Sequence, residues 1–100
     1  MLGAPPKDNA RLEANIISGT PLTPGDVREI ERLVREEMAR TVEDVLARRT
    51  RVLFLDARCA TTTARPVAEV LARVLGRDDA WLHEQVDQFT TLAASYLPRI

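Results

Sequence analysis

Apolar positions from residue 23 onward recur at spacings of three and four residues, the pattern of amphipathic helices. The first helix start is at Thr23, a suitable N-cap. Pro24 follows at the first helical position, and Asp26 lies where the helix dipole favours a carboxylate. The apolar face predicted for this helix consists of Val27, Ile30, Leu33, Val34 and Met38.

A second start signal is the segment Thr41-Val42-Glu43-Asp44, which has the spacing of a capping box. Val45 and Leu46 continue the apolar stripe almost in register. The pattern leaves open whether the helix breaks at Arg40-Thr41 or continues with a kink. The next apolar run, Val52–Leu55, is too short to assign by periodicity; its helical neighbours favour a short buried helix over a strand.

Two more helices are predicted in the C-terminal half. Because proline is tolerated in the first turn of a helix, Pro66 predicts a start at 61–63 after a joint over 57–63, and Gly76 is the expected C-cap. Asp78 is the expected N-cap of the last helix. The apolar stripe of that helix comprises Leu82, Val86, Phe89, Ala93 and Tyr96, widened by Trp81, Leu92 and Leu97.

Residues 1–22 show little periodicity and are punctuated by Pro5-Pro6, Gly19 and Pro21. We expect a poorly structured lead-in or linker there, with Ile16 and Ile17 packed onto the domain. The whole pattern predicts an all-α protein, a compact bundle of four to five helices over residues 23–97.

Composition excludes several classes of protein. The 100 residues are enough for one domain, and the longest wholly apolar run of four residues is far short of the roughly 20 that a membrane-spanning helix needs. A net charge of −1 lacks the basic excess of a nucleic-acid binder, so no nucleic-acid partner is expected. A single cysteine and an N-terminus without an apolar signal segment lead us to expect a cytoplasmic protein.

Candidate catalytic and metal-ligating residues are few. His83 is the single histidine, and we expect it at a boundary or surface position. Cys59 is predicted to be a small, partly buried residue at a joint between helices. The four glycines have no G-x-G spacing, so the chain by itself is not expected to bind a dinucleotide. We therefore expect no catalytic, cofactor-binding or metal-binding residue in this chain.

The densest basic segment contains Arg48, Arg49 and Arg51, with Arg58 nearby. These arginines could bind phosphate, pair with acids of a neighbouring domain, or cap the helix before them. We take them as candidate interdomain docking residues. The carboxylates around them read as a salt-bridged face, with Glu36–Arg40 and Asp44–Arg48 as i,i+4 pairs.

One stretch resembles a known family. The run E-M-A-R-T-V-E-D-V-L-A-R-R-T-R over residues 37–51, followed by L-D-A-R over 55–58, is similar to the C-terminal helical domain of FAD-dependent (aerobic) glycerol-3-phosphate dehydrogenases. Residues 67–76 resemble the next helix of that domain, and residues 81–97 resemble its last. The resemblance covers roughly residues 22–97. Cys59 and the threonines at 61–63 depart from it.

The resemblance implies a parent enzyme that oxidises sn-glycerol 3-phosphate to dihydroxyacetone phosphate and passes electrons from FAD to quinone. It also implies a partner, the N-terminal flavin-binding catalytic domain, and a parent that is cytoplasmic or peripheral on the cytoplasmic membrane. No catalytic residue of the family falls on this sequence, so the chain alone is expected to be inactive. The alternative is a stand-alone helical interaction adaptor or helix-turn-helix regulator.

Overall fold

The computed structural model of the protein describes residues 7–96, and within them it contains helices and no strand. The elements are α1 (Lys7–Ile17), α2 (Pro24–Glu37), a π-helix (Asp44–Arg49), α3 (Val52–Leu55), α4 (Ala57–Leu75) and α5 (Asp79–Ala94). The predicted all-α fold is confirmed. The described residues form six helices, where four to five were expected.

The additional helix is α1, which lies in the segment predicted to be a lead-in. The prediction of a poorly structured segment is wrong for residues 7–17, which form a helix with Leu12 and Ile16, one turn apart, fully buried in the core. Two inward positions are too few to stand out as a periodic stripe. The expected packing of Ile16 and Ile17 onto the domain is confirmed. Gly19 then turns the chain at φ +85, a conformation that glycine adopts without strain. Residues 1–6 lie outside the described range.

The predicted start of α2 is confirmed as a reciprocal capping box. The amide of Asp26 donates to Thr23 Oγ1 at 3.1 Å, and the amide of Thr23 donates to Asp26 Oδ2 at 3.0 Å. The helix ends at Glu37, where Met38 adopts the left-handed conformation with φ +63. Met38 therefore does not extend the apolar face as predicted; its side chain is 66% exposed.

The helix is interrupted between α2 and the π-helix. The sequence left open whether it breaks near Arg40-Thr41 or continues with a kink, and the structure shows a break. A second reciprocal capping box restarts it: the Asp44 amide donates to Thr41 Oγ1 at 3.0 Å, and the Thr41 amide donates to Asp44 Oδ2 at 3.1 Å. The following turns are wide, and the amide of Thr50 bonds to the carbonyl of Val45 at 3.1 Å, an i→i+5 pattern.

The short helix α3 is confirmed over Val52–Leu55, but only Val52 and Leu53 are buried. The predicted start of α4 at 61–63 is wrong. Asp56 caps the helix four residues earlier by accepting a hydrogen bond from the Cys59 amide at 3.1 Å. Pro66 consequently lies in the helix interior, where burial of the flanking residues on one face holds the helix together despite the missing amide.

Gly76 at φ +69 ends α4 and Asp78 caps α5, both as predicted. Leu82, Phe89 and Ala93 are buried on the inner face of α5. Tyr96 was expected in that stripe but lies beyond the helix and is 47% exposed. The predicted contribution of Leu97 falls outside the described residues.

The core forms around α4, which contacts each of the other helices. Its inner face is built from small and β-branched residues, which let five elements approach one rod closely; the buried set is Ala57, Ala60, Ala64, Val67, Ala68, Val70, Leu71 and Ala72. The Cα radius of gyration of 12.8 Å matches the roughly 13 Å expected of a compact 100-residue domain.

Candidate interdomain docking surface

Arg48 projects from the end of the π-helix and is largely exposed. Its Nε lies 3.6 Å from Asp44 Oδ1, so the predicted Asp44–Arg48 pair is confirmed. The other predicted pair, Glu36–Arg40, is wrong because α2 ends before Arg40. Arg40 instead donates to the carbonyl oxygens of Val34 and Ala39, both at 2.9 Å.

Arg49 ties the π-helix to the C-terminus of α2. Its Nη2 donates to the carbonyl oxygen of Glu37 at 2.8 Å, and its Nη1 lies 3.6 Å from Glu37 Oε1. The predicted role of a cation at helix-terminal carbonyls is thus met, although the carbonyl belongs to α2. Arg49 has partners within its own domain.

Arg51 is paired with Glu13 of α1. Glu13 Oε1 accepts from the Arg51 backbone amide at 2.8 Å, and Glu13 Oε2 accepts from its guanidinium at 3.1 Å. Partial burial alone would raise the pKa of Glu13, but the hydrogen bonds and charge of Arg51 outweigh burial and lower that pKa. The pair fastens α1 to the start of α3.

Arg58 occupies a different place, on the first turn of α4. It is exposed. Hydrogen bonding from Cys59 is the main cause that lowers the pKa of the capping carboxylate Asp56, and the charge of Arg58 acts in the same direction. The four arginines therefore do not share one set of contacts. Arg49 and Arg51 join helices of the domain, Arg48 pairs within the π-helix, and Arg58 stands at the start of α4. Their docking role stays a prediction.

The structure brings out an apolar surface that the sequence reasoning missed. Phe54 and Leu55 are 57% and 52% exposed, and the ring of Phe54 meets that of Tyr96 edge to face at a centroid distance of 5.4 Å. Beside them is a hollow of about 240 Å³, whose wall includes Asp56 and Arg58. The signal was available: a one-turn helix in which all four residues are apolar cannot bury every side chain.

A larger hollow of about 410 Å³ lies between the α1–α2 connection and α4. Its wall includes Pro21, Leu22, Arg58, Cys59 and Pro66. Cys59 is partly buried, as predicted, and burial followed by the nearby Asp56 carboxylate raises the pKa of its thiol. A raised pKa keeps the sulfur protonated and weakly nucleophilic at neutral pH.

The remaining candidates for chemistry are distributed over the surface. His83 is exposed on α5, at the kind of position predicted. Among the side chains that the structure describes, from residue 10 to residue 96, no three His, Cys, Asp or Glu residues converge in a way that could hold a metal ion. In the same range, no helix is both long and apolar enough to cross a membrane.

The described residues do not fit FAD. A dinucleotide cradle needs a strand leading through a glycine-rich turn into a helix N-terminus. Here Gly19 and Gly76 follow helix C-termini, and Gly25 lies in the first turn of α2 without a neighbouring glycine. No step of flavin chemistry is therefore assigned to this chain.

The fold and surface of the described residues define a class: an all-helical domain with a core of its own, surface hollows and an exposed apolar edge that carries an arginine. The family model for the C-terminal domain of alpha-glycerophosphate oxidase matches residues 6–81. The chain belongs to this family. The match begins before α1, in agreement with the finding that α1 is part of the domain.

A curated relative agrees with this assignment. The chain is 44% identical over 57 residues to the mitochondrial glycerol-3-phosphate dehydrogenase of Schizosaccharomyces pombe. The aligned part is 57% of this chain and 9% of that protein's length. No solved structure matches the chain. The family inferred from the sequence is confirmed, although the match spans residues 6–81 rather than the 22–97 of the resemblance. The adaptor or helix-turn-helix alternative has no comparable support.

Proposed function

We propose that this chain acts as the non-catalytic C-terminal accessory domain of an FAD-dependent glycerol-3-phosphate dehydrogenase. The parent oxidises sn-glycerol 3-phosphate to dihydroxyacetone phosphate, and its FAD passes the electrons to quinone. The observation that carries the proposal is the family match over residues 6–81, supported by 44% identity to a dehydrogenase of that name.

The proposal assigns catalysis and packing to different domains. FAD and the substrate are bound by the N-terminal catalytic domain, which is the partner of this one, and this domain contributes helices that pack against it. The candidate docking residues toward that partner are Arg48, Arg49, Arg51 and Arg58. Arg58 is the best placed of them, because the other three already hold carboxylates or a carbonyl within the domain.

The proposed location of the parent is the cytoplasm, with peripheral attachment to the cytoplasmic membrane. Its electron acceptor, quinone, is a membrane component, so a dehydrogenase of this kind must reach the bilayer surface. Nucleic acid is not among the proposed partners, since the net charge of −1 offers no phosphate-binding excess.

The test compares the 100-residue chain with the longer polypeptide that carries it. We expect the longer protein to purify with a flavin absorbance band near roughly 450 nm that glycerol 3-phosphate bleaches, the behaviour of a protein-bound redox cofactor. The 100-residue chain titrated with FAD should give neither a bound flavin band nor dye reduction. A stoichiometric flavin complex of the short chain, or a longer protein without glycerol-3-phosphate-dependent bleaching, would contradict the proposal.

A further inference from the structure

The surface made by Phe54, Leu55 and Tyr96, here called the α3 patch, is unusual for a small domain. Phe54 and Leu55 are more than half exposed, and Tyr96 is nearly half exposed. Scattered single apolar residues are ordinary on protein surfaces, but these three come together, with two rings in edge-to-face contact at 5.4 Å. Aromatic residues gathered in this way are typical of the centre of an interface.

The rim of the α3 patch is polar and carries a cation. Asp56 and Arg58 line the same hollow of about 240 Å³ as Phe54 and Tyr96. An apolar centre with an arginine at its edge is the composition of a specific protein–protein contact rather than of a lipid-facing surface. It fits a partner that presents apolar side chains and a carboxylate.

The position of the α3 patch in the chain indicates which partner covers it. The family is that of a C-terminal domain, and this chain aligns with 9% of the length of its relative, so most of such a protein precedes the domain. A preceding chain would enter through α1, and α1 is bonded to the residue before α3 by the Glu13–Arg51 pair at 2.8 and 3.1 Å. The α3 patch therefore lies beside the element through which the rest of the polypeptide arrives.

We propose that the α3 patch, with Arg58 at its edge, is the face that docks on the flavin-binding part of the same polypeptide. This rests on the function proposed above and names the surface through which the domain exerts it. Phe54 and Tyr96 enter an apolar depression of the partner, and Arg58 pairs with a partner carboxylate. Burial on docking removes the exposed apolar area from water.

Hydrogen exchange measures the docking directly. The amides of Phe54 and Leu55 bond to the carbonyl of Arg51, at 3.1 and 2.9 Å, in a one-turn helix at the surface, so they exchange rapidly in the 100-residue chain. In the longer flavoprotein their exchange should slow by about tenfold or more, since a docked helix cannot open alone. Unchanged exchange at residues 52–56 in a flavin-loaded, active protein overturns the docking proposal and leaves the proposed function standing.

Matched substitutions give a second measurement. Phe54→Ser and Tyr96→Ser should lower the midpoint of thermal unfolding of the flavoprotein by several degrees more than that of the 100-residue chain. Met38→Ser, at a residue 66% exposed and outside the patch, should shift the two equally. Equal shifts for Phe54→Ser in both proteins would overturn the proposal.

The charge at the rim is tested with Arg58→Glu, which should speed exchange at residues 52–56 of the flavoprotein and leave the short chain unchanged. Arg35→Glu on α2 is the control. Two other outcomes also overturn the proposal. One is a short chain that dimerises in sedimentation and becomes monomeric on Phe54→Ser, because the occupant is then a second copy. The other is a longer polypeptide without a flavin-binding part, which refutes both proposals.

Discussion

Phe89 is the residue on which the packing of α5 depends most. It is 2% exposed and lies between Leu82 and Ala93 on the inner face of the helix. We expect Phe89→Ala to lower the free energy of unfolding by about 3–5 kcal/mol, because a buried aromatic ring is replaced by a cavity. Urea unfolding of the 100-residue chain measures it. Tyr96→Ala, at a half-exposed ring, serves as the control and should cost about 1 kcal/mol or less.

Gln85 is the buried polar residue of α5, and its role is specific. Its Oε1 accepts a hydrogen bond from the Val42 amide at 3.1 Å, which joins α5 to the start of the segment before the π-helix. Gln85→Leu leaves that buried amide without a partner and should cost about 1–3 kcal/mol. Gln88→Leu, one turn away on the exposed face, should change the urea midpoint very little. Similar losses for both variants would contradict this role.

Glu13 makes the stability of the domain depend on pH. Its pKa is lowered in the folded state, so the Glu13–Arg51 pair stabilises the fold above the ordinary glutamate pKa of about 4.3 and is lost as pH falls through the lower folded value. Glu13→Gln should therefore cost about 1 kcal/mol at pH 7 and progressively less below about pH 4. The measurement is urea unfolding at pH 7, 5 and 3. Glu69→Gln, in an exposed pair with Arg65, is the control; a pH-independent loss for Glu13→Gln would refute the linkage.

At the scale of elements, the break after α2 occurs at Met38, whose side chain disfavours the backbone conformation found there. Met38 adopts φ +63, which costs a side-chain-bearing residue roughly 1–2 kcal/mol, and its side chain is mostly in water. Met38→Gly should raise the free energy of unfolding by about 0.5–1 kcal/mol once the entropy of glycine is subtracted. Thermal unfolding measures the change.

The matched control for that prediction is Arg35→Gly, an exposed position inside α2. It should lower the free energy of unfolding by about 0.5–1 kcal/mol, since there glycine loses entropy and relieves no strain. If both glycine variants destabilise the chain alike, the left-handed conformation of Met38 does not limit its stability.

Element boundaries were predictable where a capping side chain marked them. Thr23, Thr41 and Asp78 each hydrogen-bond the amide that their spacing indicated. The start of α4 was misplaced because Pro66 was taken to limit it and the cap at Asp56 was not recognised. Proline raises the local free energy of a helix, but it does not end one that buries a continuous apolar face before and after the proline.

At the scale of the molecule, Arg49 distinguishes a role in the domain from a role in docking. Its bonds to Glu37 lie within the domain, so Arg49→Ala should cost about 0.5–1.5 kcal/mol in the 100-residue chain and the same in the longer flavoprotein. The comparison uses thermal unfolding in both contexts. A loss of about 2–5 kcal/mol confined to the longer protein would instead show a buried partner carboxylate left unpaired.

The candidate site was only partly visible in the sequence. The arginine cluster and the Asp44–Arg48 pair could be named, but the partners of Arg51 and Arg49 could not, because Glu13 and Glu37 come from helices 38 and 12 residues away along the chain. The exposure of Phe54 and Tyr96 was missed for the same kind of reason. Periodicity says that a residue is apolar and on a given face, and only the packing of other helices decides whether that face is covered.

The sequence by itself determined the helical class, the caps at Thr23, Thr41 and Asp78, and the family, because these depend on local spacing and on an uninterrupted run of similar residues. The tertiary structure decided that α1 belongs to the domain, that α4 is its centre and that one apolar edge stays open. Those properties depend on how much surface each helix buries against the others, a sum over contacts distant in the chain that no local pattern contains.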